Sequence, residues 1–180
     1  MTEDAQNIEN LIREYLLDER SFQKRINNSE LKFGFQFIFP SYPSSSEQKG
    51  QVMVVFQLNN TDFLIISIGT QISKSHIDIL KKYKEREVQF FIDLKKLIFK
   101  MNLFFRLDIQ NYNYEISEQI FIEHDKIISK NIFFKIVRKL YNTQAYSSLL
   151  LMEHCMDKQN LKEINKEQRI DTNIGLNLYI

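Results

Sequence analysis

The chain has 180 residues, 43% of them apolar, and a formal charge of +1 from 24 basic against 23 acidic side chains. That supports a sizeable core in a single domain, and the balanced charge leaves no whole-molecule field to draw it onto nucleic acid or anionic membrane. One Cys excludes an internal disulfide framework, and only four Gly leave little room for phosphate-cradling loops.

In chain order, Ile8, Leu11, Ile12, Tyr15 and Leu16 fall at helical spacing and predict a first helix with an acidic outer face. Phe33, Phe35, Phe37 and Phe39 alternate with Lys32, Gly34, Gln36 and Ile38, the period of a strand with its rings on one side. Pro40 and Pro43 open a polar loop that runs to Gly50. Gln51 to Leu58 and Phe63 to Ile68 read as an antiparallel hairpin around the turn Asn59-Asn60-Thr61-Asp62. The run Val52-Met53-Val54-Val55-Phe56 has no polar face, so it calls for cover on both sides, from helices or from another subunit.

Gly69-Thr70 is expected to end the sheet, and Ser75 with Asp78 resembles a capping box for a helix over 75–101, about 40 Å long. Its apolar stripe is Ile77, Leu80, Tyr83, Phe91, Leu94, Ile98 and Met101. Leu103, Phe105, Leu107 and Ile109 alternate as a fourth strand, followed by a turn at Asn111-Tyr112-Asn113 and a fifth strand near Tyr114 to Ile122. A last helix starts around Ser129 with Phe133, Ile136, Val137, Leu140 and Tyr141 on its apolar side, and Asn142-Thr143-Gln144 is a place for it to kink before Cys155. The division is therefore an α+β domain over 1–156 and a polar extension over 157–180. The extension closes on Ile174, Leu176, Leu178 and Ile180 in period two, a candidate strand that could add to a sheet edge.

The resulting order, α-βββ-α-ββ-α with an antiparallel sheet of about five strands, resembles the type III secretion chaperone-like fold. More narrowly, Ile68-Gly69-Thr70-Gln71-Ile72-Ser73-Lys74-Ser75-His76, a charged helix containing Phe91-Ile92-Asp93-Leu94, and Leu103-Phe104-Phe105-Arg106-Leu107 resemble an uncharacterised, largely archaeal family with that fold. The resemblance covers about residues 5–155. It implies a fold and no particular activity.

Catalytic, cofactor and metal sites are not predicted. Glu153, His154, Cys155 and Asp157 are the nearest approach to a ligand set, yet adjacent helix positions diverge by about 100°, and no other Cys or His lies near them in sequence. His76 reads as a surface residue at a helix start and His124 as a loop histidine. Residues 74–101 carry eight basic side chains against four acids, interleaved as on a solvated helix face.

The function expected from these features is non-catalytic protein binding, as an adaptor, chaperone-like protein or homodimer subunit. Its candidate contacts are Ile38, Met53, Val55, Ile174, Leu176, Leu178 and Ile180. The alternative is an enzyme or small-ligand binder whose pocket would gather His124, Arg106 and Tyr112 or Tyr114. A third reading is local nucleic-acid binding through the helix over 75–101. The acidic first residues and the lack of any apolar run near the ~20 residues of a membrane helix predict a cytoplasmic protein off the membrane.

Overall fold

The structure, a computed structural model, describes residues 3–42, 50–123 and 128–156, with side chains from residue 8 onward. The polar loop over 43–49, His124 and the extension over 157–180 lie outside the described residues. The elements are α1 (Glu3–Asp18), β1 (Phe22–Arg25), β2 (Leu31–Phe39), β3 (Gln51–Leu58), β4 (Phe63–Gln71), α2 (Lys74–Lys82), α3 (Lys84–Lys100), β5 (Phe104–Asp108), β6 (Asn113–Phe121) and α4 (Lys130–Cys155).

The protein is α+β, with four helices and a six-stranded sheet in the order β1-β2-β3-β4-β6-β5. β1, β2, β3 and β4 pair antiparallel in sequence order. The Ile72 N–H donates to the Tyr112 carbonyl and the Ile122 N–H to the Asp62 carbonyl. These two bonds make β4 and β6 antiparallel as well, with Ser67 opposite Ser117 and Phe63 opposite Phe121. Chain contacts group the molecule into two compact units, Met1–Ile68 with Ser117–Tyr141 and Gly69–Ile116 with Asn142–Ile180.

In the first unit the alternation of β2 sets the core. Phe33, Phe35 and Phe37 are each at most 1% exposed. The ladder places Phe37 opposite Met53 and Phe35 opposite Val55, and Val55 opposite Ile66. Directly paired residues share a face, so these side chains form one apolar layer. Helices α1 and α4 close that layer: the rings of Phe37 and Tyr15 lie 6.2 and 6.3 Å from Phe133, and Phe39 packs edge-on against Tyr141. The stripe on α1 buries Ile12 and Leu16 completely. α1 then ends in a Schellman motif, with Arg20 at positive φ, its N–H on the Leu17 carbonyl and the Ser21 N–H on that of Leu16.

In the second unit Ile72, Leu80, Phe90, Phe91, Leu94, Ile98 and Leu103 supply buried apolar side chains. Asn102 takes positive φ past the end of α3, and the Leu103 N–H reaches the Ile98 carbonyl, a second Schellman motif.

Several expectations change. A sixth strand exists because β1, Phe-Gln-Lys-Arg, is a polar edge with no alternation to read. Gly69 and Thr70 continue β4, and α2 starts one residue early, at Lys74, with Ser73 as its N-cap residue. The helix expected over 75–101 is two helices meeting at Tyr83, whose φ of −128° and ψ of 82° interrupt the ladder. Between Leu80 and Phe90 no residue is buried, so that stretch has no core packing to hold it helical. α4, by contrast, passes through Asn142-Thr143-Gln144 unbroken. Thr143, Gln144 and Ser147 there are at most 2% exposed, and the Ser147 hydroxyl donates to the Gln144 carbonyl at 2.6 Å.

Candidate binding surface

The second face of the sheet in the first unit is the feature that stands out. Parity along the ladders assigns to it Gln36 and Ile38 from β2, Val52, Val54 and Phe56 from β3, Phe63, Ile65 and Ser67 from β4, and Ser117, Gln119 and Phe121 from β6. Contacts to α1 and α4 fall on the opposite side: Phe39 meets Phe134, the Lys139 ammonium meets Glu118 at 2.8 Å, and Arg25, paired with Phe35, meets Glu9 at 2.9 Å. Among the described residues no helix of this unit packs on the second face.

Val54 and Ser67 are nearly closed off by their neighbours, but Ile38, Val52, Phe56, Phe63 and Ile65 are only half-buried. Phe121 is 64% exposed and stacks edge-on against Phe63 at 5.8 Å. Gly34 keeps one end of the face flat: a methyl group there would meet Leu31 Cδ1 at 3.0 Å, Ile26 Cβ at 3.2 Å and Phe56 Cβ at 3.4 Å. Among the described residues no charged side chain stands within the patch, and Lys24 and Lys32 lie at its β1–β2 margin.

The residues singled out from sequence distribute unevenly. Ile38 is on this face. Met53 and Val55 are fully buried on the helix-covered face, because their register partners are Phe37 and Phe35. In a strand that is apolar at every position, pattern gives no parity; the pairing does, and it puts Val52, Val54 and Phe56 beside Ile38 instead. Ile174, Leu176, Leu178 and Ile180 lie outside the described residues.

The groups considered for chemistry are dispersed. The Tyr112 hydroxyl donates to Glu87, and burial with that carboxylate pushes its pKa up to about 12. The Tyr114 hydroxyl is bonded to Ser147 at 2.6 Å inside the core, and burial raises its pKa too. Arg106 is exposed on β5. Among the described residues, Gln57 keeps its buried Oε1 without a hydrogen-bond partner. An open groove beside the β1–β2 connection is lined by Arg25, Ile26, Asn27, Asn28, Ser29, Leu31, Lys32 and Phe33.

His154 Nε2 lies 3.4 Å from Asp93, and Cys155 points its thiol at the His76 carbonyl, 3.8 Å away. Asp93 also accepts from Gln89 and Lys96, which hold its carboxyl below the usual range. Among the described residues no three His, Cys, Asp or Glu side chains come together as a metal site. His76 Nδ1 is 2.7 Å from the Ser73 hydroxyl at the helix start, and burial lowers its pKa.

Burial pushes the Cys155 thiol up to about 11. At pH 8 only about a thousandth of such a thiol is ionised, so alkylation by iodoacetamide should run on the order of 100-fold slower than for an unperturbed cysteine. The rate should keep rising up to about pH 11, the reverse of what a cysteine activated for attack shows.

Of the eight basic residues over 74–101, Lys81 sits over the Tyr112 ring, Lys82 and Arg86 over Tyr83, and Lys96 pairs with Asp93. Half of that basic set is therefore engaged locally. Among the described residues no helix is long and apolar enough to cross a membrane.

A crystal structure of an uncharacterized protein from Methanothermobacter thermautotrophicus has the same fold, with a TM-score of 0.70 at 16% identity over 82% of this chain and 99% of that one. No curated protein matches the chain. A family model described as an uncharacterized conserved protein matches residues 8–151, all of the six-stranded sheet and most of its helices, and the chain belongs to that family, DUF2299.

Proposed function

We propose that this protein is a non-catalytic protein-binding domain that uses the second sheet face of its first unit, and that the partner on that face is a second copy of the chain. The supporting observation is an apolar patch whose rings and aliphatics are only partly buried, with no charge among its described residues. Exposed apolar area of this kind, removed from water, is worth roughly 25 cal/mol per Å². A contact of twofold symmetry sets each side chain near the axis against its own copy, so a charge there would meet its like. The patch contains none, while Lys24 and Lys32 stand at one margin. An adaptor or chaperone-like role, and the likeness to the type III secretion chaperone-like fold, belong to the same proposal.

Light scattering on the eluting full chain should give twice 21.6 kDa at concentrations on the order of 100 µM, the range that resolves micromolar association. Phe121→Asp, at a position already 64% exposed, should return the mass to one chain with an unchanged circular dichroism spectrum. A wild-type chain that stays monomeric throughout would overturn self-association on this face.

A further inference from the structure

The second unit carries a different unfilled surface. β5 is the outer strand of the sheet on this side, so one of its two backbone edges has no partner strand among the described residues. Edge strands are usually blunted by charge or shortness. β1, the other outer strand, is both: four residues, among them Lys24 and Arg25. β5 is also short, five residues with Arg106 and Asp108 among them, but apolar surface flanks it. Phe104 is 59% exposed, and Phe105 stands edge-on to Phe99 of α3 at 5.4 Å. Phe99 is itself 68% exposed and ends a helical stripe that includes Ile92 at 42% and Val88 at 52%. A strand added beside β5 would thus find open hydrogen-bonding groups on its edge and unburied rings and aliphatics on the α3 side.

We propose that this slot is filled by the chain's own segment Ile174–Ile180, paired to β5 as a further strand with Ile174, Leu176, Leu178 and Ile180 on the Phe105 side. The segment has the required pattern, with aliphatics at alternate positions and Gly175, Asn177 and Tyr179 between them. Alternate side chains give register while backbone bonds give affinity, the usual division in strand addition. The path is long enough. The described chain ends in the same unit, where the Met156 carbonyl accepts from Arg86 at 3.4 Å. Residues 157–173 can span up to about 56 Å, against about 26 Å for the length of α3.

The test compares the full chain with a full-length Leu176→Asp/Leu178→Asp variant by amide hydrogen exchange. β5 amides should exchange at least about 10-fold more slowly in the wild type, equally at low and high protein concentration. Phe99→Asp should also release that protection, because it removes the apolar wall and leaves the backbone edge intact. Equal β5 exchange in wild type and double variant would overturn the docking. Protection that appears only as concentration rises would overturn it too, since the strand would then come from another copy.

Discussion

Replacing Phe37 with Ala is expected to lower the unfolding free energy by about 3–5 kcal/mol, whereas Ile38→Ala, one residue along the same strand, should cost about 1 kcal/mol. Phe37 is 0% exposed; its ring packs on Phe133 of α4, and it pairs across the ladder with Met53 on one side and Phe22 on the other. Truncation would leave a ring-sized hole between sheet and helix, surrounded by side chains that already interlock. Ile38 points to the other face, where part of its surface already meets water. Urea denaturation of the two variants measures the contrast directly. Similar losses for both would mean that the second face is as tightly covered as the first, and the binding proposal would lose its basis.

The same pair of residues shows what the sequence made legible and where it stopped. β2 alternates Phe with polar or small residues, so its buried side could be read from period alone. β3 is apolar from Val52 to Phe56, and a strand without polar positions carries no parity; only the pairing of Met53 with Phe37 and Val55 with Phe35 decides which side chains are core. The candidate surface was for that reason half legible: Ile38 could be named, and Val52 and Phe56 could not. Elements held by packing were recovered with small boundary errors, as with the stripes of α1 and α4. Those set by context escaped. β1 is a strand because β2 offers it an edge, and Tyr83 ends α2 where no core side chain holds the turn, with neither Gly nor Pro to announce it. The polar run Asn142-Thr143-Gln144 looked like a break because its hydrogen bonds, to its own helix and through Ser147 to Tyr114, form only in the folded chain.

Gly50→Ala should destabilise the first unit by about 1–3 kcal/mol, the scale of overpacking in a closed site, and more than Gly34→Ala does. The reason is the nature of the obstacle. Gly50 follows the last pair of the β2–β3 ladder, Phe39 with Gln51. A methyl group on it would overlap the Pro40 carbonyl oxygen outright, lie 2.6 Å from Ile38 Cγ2 and 3.0 Å from the Phe39 carbonyl carbon. Two of these atoms are backbone and cannot rotate away, so the strand ends must separate. At Gly34 the neighbours are side-chain atoms of Leu31, Ile26 and Phe56 at 3.0–3.4 Å, and a few tenths of an ångström of side-chain movement admits the methyl. Thermal melts should rank the two, with the Tm of Gly50→Ala lower by about 2–10 °C than wild type and that of Gly34→Ala between them. Because the displaced atoms at Gly50 include Ile38, the variant also reports on the binding face: if that face is the dimer contact, Gly50→Ala should weaken association as well as stability. A loss of stability with an unaltered dimer would place the contact away from Ile38, nearer Phe63 and Phe121.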